Sequence, residues 1–165
     1  VDALAARQGV PFRKTRLALE AKADITLIKP LTFMNLSGQA VQAYQTKLGL
    51  KASEILVVHD DLDLPLGKLR LKAGGGGAGG QRGVRDIIAR IGPDFVRLKV
   101  GIGRPPPGWR VENWVLSRFR EGELALLQRV IEAAADACEV VQQEGLEVAM
   151  NRYNRRDLAG DEIVP

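Results

Sequence analysis

Three segments of this sequence hold residue types that chemistry needs, at spacings a fold can use. The first is Thr32-Phe-Met-Asn-Leu-Ser-Gly38. Its Asn35 amide reads two ways: as the cap of a following helix, or as a donor to a carbonyl or ester oxygen. Phe33 and Met34 would wall such a site or belong to the core. The second is His59-Asp-Asp-Leu-Asp63, with the only histidine in the chain. An Asp–His pair suits general-base activation of water. Alternation along a strand sends His59 and Asp60 to opposite faces, so they are not expected to meet, and His59 is read as structural. Asp60, a carboxylate at the end of a buried strand, is expected to have an assigned partner. Asp60, Asp61 and Asp63 together also suggest a divalent cation held by oxygen. That is the weaker reading, because a two-sided strand end scatters them. The third segment runs from Gly74 to Gly83 and is mostly glycine. It fits a flexible spacer, or a mobile lid whose amides and following helix start favour an anion. It formally satisfies GxGxxG, as any glycine run does, and no GK[ST] follows. Lys72, Arg82 and Arg85 flank it and favour an anionic ligand.

The elements around these segments follow from periodicity. Arg16–Glu20 and Ile25–Ile28 read as short strands split by the turn-prone Lys22-Ala-Asp24. Apolar residues at Leu36, Ala40, Val41, Tyr44 and Leu48 predict a helix from Phe33 to Leu48, ended by Gly49. Glu54–Val58 is an apolar, β-branched run suited to a buried strand. Lys68-Leu-Arg-Leu-Lys72 alternates as a half-exposed strand, Val84–Ile91 predicts a helix, and Phe95–Ile102 another strand. Beyond the connection Arg104-Pro-Pro-Pro-Gly108 come Trp109–Leu116 and a long amphipathic helix over Glu121–Glu144. Its predicted core stripe is Leu124, Leu127, Ile131, Ala134, Cys138 and Val141. A short helix over Leu146–Arg152 completes the pattern. Strands alternating with helices predict one α/β domain over residues 1–154, a twisted, mixed, mostly parallel sheet flanked by helices on both faces. Residues 155–165 are expected to form a loose tail. In such sheets ligands bind beyond the carboxyl ends of strands, where all three segments fall.

The 165 residues are 45% hydrophobic and 27% charged, with mean hydropathy -0.08, which suits one globular domain with a real core. A formal charge of +4 is compatible with a nucleic-acid partner without requiring one. One cysteine, Cys138, excludes an internal disulfide framework and fits a reducing cytoplasm. No apolar run is long enough to predict a membrane span, and no secretion leader is expected. Val1–Ala6 reads as the interior of a helix with nothing before it to cap it, so the sequence is expected to lack an N-terminal piece.

Taken together, the segments resemble the bacterial-type peptidyl-tRNA hydrolases. Leu31–Gly38 resembles that family's "TFMN-SG", Val58–Pro65 its "HDELDLP", the glycine run with Gly83-Val-Arg-Asp-Ile87 its "GGGHGGHNG-KDI", and Phe95–Gly103 its "F-R-R-GIG". The similarity extends in order to Gly145–Arg152. The resemblance implies that fold and hydrolysis of the ester between peptide and tRNA, by a cytoplasmic monomer without metal or organic cofactor. It implies catalytic roles for Asp60, orienting and polarising a histidine, and for Asn35, holding substrate or water. It also implies substrate contacts from Phe33, Met34, Asn35 and Arg82, and tRNA phosphate contacts from Lys72 and Lys99.

Two departures qualify those roles. The family's catalytic histidine lies in a "GNPG…Y…TRHN-G" stretch with the first strand, and no such stretch occurs in this sequence. His59 corresponds to a different family position. In the lid, Arg82 stands where the family commonly has asparagine, with Ala78 and Gln81 in place of two histidines. Arg82 would then offer a charged donor to a phosphate or ester carbonyl. The alternative readings are a catalytically inactive RNA-binding homologue of the same fold and a metal-dependent phosphoryl-transfer enzyme built on Asp60 and Asp63.

Overall fold

The computed structural model describes residues 1–104, 107–108, 110 and 121–160. Two compact units make up the chain: Val1–Leu56 with Ala73–Val96, and Val57–Lys72 with Arg97–Pro165.

The first unit opens with helix α1 (Asp2–Gln8), followed by the antiparallel strands β1 (Arg13–Lys14), β2 (Ala18–Lys22) and β3 (Thr26–Pro30). β2 buries Ala18 and Ala21, and also Glu20. Burying a carboxylate is tolerable only with a donor; the Tyr44 hydroxyl supplies it and Lys22 adds an ion pair, so the Glu20 pKa is lowered, chiefly by that hydroxyl. A single 3₁₀ turn, Met34–Leu36, leads into α2 (Ser37–Leu48). The expected helix therefore starts four residues late, because the first turn winds as 3₁₀. Helix α3 (Arg82–Ile91) packs on α2, and Ala40, Val41, Val84 and Ile87 are buried in this unit. The α2–α3 approach is close enough to require glycine. A Cβ at Gly38 would stand 2.5 Å from the Asp86 carbonyl oxygen.

The second sheet has the order β4 (Leu56–Asp61), β6 (Val96–Gly101), β5 (Leu69–Lys72). β5 pairs antiparallel with β6, setting Arg70 opposite Lys99 and Lys72 opposite Arg97. β4 and β6 run parallel: the bonds Val96 N–H to Ile55 C=O and Ile102 N–H to Asp61 C=O advance together along both. The α/β class stands as expected, but the single, mostly parallel sheet is corrected: the described strands form two three-stranded sheets, and only the β4–β6 pairing is parallel. β4 also runs beyond the expected Val58, so His59, Asp60 and Asp61 lie on the strand itself.

Helices α4 (Glu121–Glu144) and α5 (Leu146–Tyr153) complete the second unit. The buried residues of α4 are Val130, Ala133, Ala135, Ala137, Cys138 and Val140, whereas Leu124 and Ile131 are exposed. The stripe is rotated from the expected one because Ala133, Ala134, Ala135 and Ala137 spread over more than one face of this helix and open a second face to close packing. Small side chains allow close approach, and the larger Leu124 and Ile131 turn outward. Leu69, Ala133, Tyr153 and Leu158 meet around one small hollow. The expected loose tail is corrected over residues 155–160: Leu158 is buried, and Asp157 bridges to Lys68. The expected segment Trp109–Leu116 lies outside the described residues, apart from residue 110.

Candidate functional site

In the first unit the turn Met34–Leu36 is held from behind. The Ser37 hydroxyl donates to the Met34 carbonyl at 2.7 Å. The Gly38 N–H donates to Asp86 Oδ2 at 2.8 Å, and Asp86 also holds Arg90 at 3.1 Å. With its backbone fixed this way, the turn sends its side chains outward. Phe33 is 80% exposed and Met34 57%, so neither belongs to the core. Asn35 is exposed and makes no side-chain hydrogen bond among the described residues. The cap reading of Asn35 is thereby corrected: Leu36 occupies the cap position of α2, without a side-chain cap, because the turn displaces Asn35 from it.

The N-terminus of α3 abuts the same turn. Gln81 caps it, its Oε1 accepting from Val84 N–H at 2.9 Å while its Nε2 reaches Met34 Sδ at 3.6 Å. A Cβ at Gly83 would sit 2.7 Å from that sulfur. Arg82 is thus flanked on both sides by residues that touch Met34, and it is exposed. The first turn of α3 has no acidic residue, yet carries Arg82 and Arg85. Cations there oppose the helix dipole by roughly 0.3–1 kcal/mol each at the surface, so helix stability does not explain them.

In the second unit β4 ends in a wired set of charges. His59 is half-buried, and its Nδ1 lies 2.8 Å from the Asp60 carbonyl oxygen. The contact is to the Asp60 backbone. Desolvation lowers the His59 pKa, opposed by that bond and by the Asp60 and Asp61 charges. A ring deprotonated by burial donates through Nδ1, which leaves Nε2 buried and unpartnered. Asp61 pairs with Lys99 at 3.7 Å and accepts from Asp63 N–H at 2.7 Å, while Asp63 pairs with Arg104. Asp61 and Asp63 are therefore committed to cations and a turn. No group of three metal-ligating residues occurs among the described residues.

β5 buries Leu69 and Leu71 and exposes Arg70 and Lys72 on the opposite face. Lys72 makes no ion pair among the described residues, whereas Lys99 is half-buried against Asp61. Cross-strand pairing puts Arg70 on the face of Lys99. Arg70 is not among the residues singled out above, although the alternation Lys68-Leu-Arg-Leu-Lys72 sets it on the exposed face of the strand.

A family model of peptidyl-tRNA hydrolase matches residues 1–161. The chain belongs to the peptidyl-tRNA hydrolase family. A peptidyl-tRNA hydrolase of Rubrobacter xylanophilus is 46% identical over 161 residues, covering 94% of this chain and 87% of the relative. One of Chloroflexus aggregans is 47% identical over 162 residues, covering 93% and 86%. The crystal structure of peptidyl-tRNA hydrolase from Acinetobacter baumannii superposes with a TM-score of 0.87 at 34% identity, covering 95% of this chain and 83% of that one.

Within this family member the signature residues have local physical reasons. Ser37 and Gly38 fix the turn that displays Phe33, Met34 and Asn35, and Asp86 ties that turn to α3. Gln81, in place of a family histidine, keeps a structural duty as the α3 cap. Among the described residues no helix is long and apolar enough to cross a membrane.

Proposed function

We propose that this chain hydrolyses the ester joining a peptide to tRNA, and that its residues divide that work as follows. Asp60 orients and polarises a histidine that takes a proton from water, the residue the family carries in the "GNPG…TRHN-G" stretch that does not occur in this sequence. Asn35 holds the ester or the attacking water, an amide donor suited to a developing oxyanion. Phe33 and Met34 line the cleft for the tRNA end, and Arg82 meets a phosphate or the ester carbonyl with a charged, forked donor. Lys72 contacts tRNA phosphates, with Lys99 contributing less because Asp61 already engages it. Phosphate contacts position without reading sequence, as an enzyme acting on most tRNAs requires. The enzyme works as a cytoplasmic monomer without metal or organic cofactor.

The observation that carries this reading is the outward display of Phe33, Met34 and Asn35 on a turn fixed from behind by Ser37, Gly38 and Asp86. Phe33 and Met34, adjacent and exposed on a turn whose backbone is hydrogen-bonded from behind, offer an apolar surface that suits a ligand. His59 is not the base: its Nδ1 is spent on a backbone carbonyl and its Nε2 is buried.

The test is cleavage of an N-acetyl-aminoacyl-tRNA by the full-length protein, with and without chelator. Release of the acyl group at an unchanged rate under chelation is expected. Tight tRNA binding without release would instead establish the inactive RNA-binding homologue. Activity abolished by chelator would overturn the metal-free reading.

A further inference from the structure

β5 stands last in its sheet, so its outer side is an edge. Unprotected edges fray or recruit other chains. The segment after α5 closes this one. Asp157 bridges Lys68 in the antiparallel sense, and Leu158 N–H donates to the Gly67 carbonyl at 2.9 Å. The same register, continued along the strand, sets position 154 against position 71. There the Asn154 side chain takes over the pairing. Its Oδ1 accepts from Leu71 N–H at 2.6 Å, and its Nδ2 donates to the Leu71 carbonyl at 2.9 Å. One side-chain amide thus satisfies both backbone groups that a neighbouring strand would have paired.

Leu71 separates the two exposed cations of β5, and Lys72 is the last residue of the strand before the chain runs toward the glycine segment. We propose that Asn154 is a positioning residue for tRNA binding, clamping the β5 main chain so that Lys72 is presented to phosphates. The proposal rests on the assignment of Lys72 to the phosphate path. A lysine on a frayed strand end is not held where a phosphate can meet it, so its contact is lost without touching the chemistry.

The experiment measures tRNA binding across a salt series with the full-length protein. It compares wild type, Lys72→Ala, Asn154→Ala, Asn154→Gln and the Lys72→Ala/Asn154→Ala double variant, with kcat measured for each. Asn154→Ala is expected to weaken binding roughly three- to tenfold. It should also flatten the salt slope by about 0.7–0.9, the share of one phosphate contact. The kcat at saturation should stay near wild type, and Asn154→Gln, which keeps the amide, should recover part of the slope. The double variant should bind no more weakly than Lys72→Ala alone. A flattened slope for Lys72→Ala with a wild-type slope for Asn154→Ala would overturn the positioning role and leave the phosphate contact standing. An unchanged slope for Lys72→Ala would overturn both. Additive losses in the double variant, with kcat falling alongside, would make Asn154 a structural residue and nothing more.

Discussion

In the Phe33–Gly38 turn the backbone is held and Phe33, Met34 and Asn35 are left to face outward; in the His59–Asp63 strand end the side chains are tied to main-chain groups and to basic residues from elsewhere. Ser37, Gly38 and Asp86 anchor the turn, and no described partner engages Asn35. In β4, by contrast, His59 is turned onto a backbone carbonyl while Asp61 and Asp63 are matched to Lys99 and Arg104. The turn is suited to meeting a ligand of varied shape. The strand end fixes Asp61 and Asp63 in place.

The largest expected effect breaks the backing of the turn. Gly38→Ala would place a methyl 2.5 Å from the Asp86 carbonyl oxygen, forcing α2 and α3 apart at a cost of about 1–3 kcal/mol. Denaturant unfolding checks it, and an unchanged midpoint would show that the helix pair does not hold the turn. Next comes Phe33→Ala. With 80% of the ring exposed, fold stability should move by less than about 0.5 kcal/mol. The KM for peptidyl-tRNA should rise about tenfold, as expected for losing one stacked base. A loss of stability with KM unchanged would return Phe33 to the core.

The smallest effect belongs to the strand end. Burial lowers the His59 pKa from its ordinary 6.5, so the unfolded chain binds this proton more readily. Stability from His59 is therefore complete above pH 6.5 and declines as the pH falls below it toward the depressed folded value. The Glu20 pKa is lowered from an already acidic 4.5, so its contribution changes only at lower pH. His59→Gln should flatten the unfolding free energy between about pH 7 and pH 5. An identical slope in wild type and variant would mean that His59 does not gain its proton on unfolding.

Much of this arrangement was legible beforehand, for uneven reasons. The motifs Leu31–Gly38, Val58–Pro65, the glycine run with Gly83–Ile87 and Phe95–Gly103 carry the family resemblance, and the alternation of strands with helices carries the α/β class. The position of Asn35 was not legible, because a 3₁₀ turn and the first turn of an α-helix share the same apolar spacing. The stripe of α4 was misphased because its alanines satisfy more than one helical face. Asn154 escaped notice because its partner, Leu71, is 83 residues away in sequence and engages through its backbone, which has no residue-type signature. Cys138 was correctly placed in the core. Burial raises its thiol pKa to about 11, which leaves it unreactive at neutral pH.

Under the proposed function Asp60 serves the chemistry and the cations of β5 serve binding. Steady-state cleavage of peptidyl-tRNA by the full-length protein, wild type beside Asp60→Asn, tests it most directly. The account predicts a fall in kcat of about 10²–10⁴, with the dissociation constant for tRNA essentially unchanged. Parallel losses in kcat and affinity, or a wild-type kcat, would contradict it.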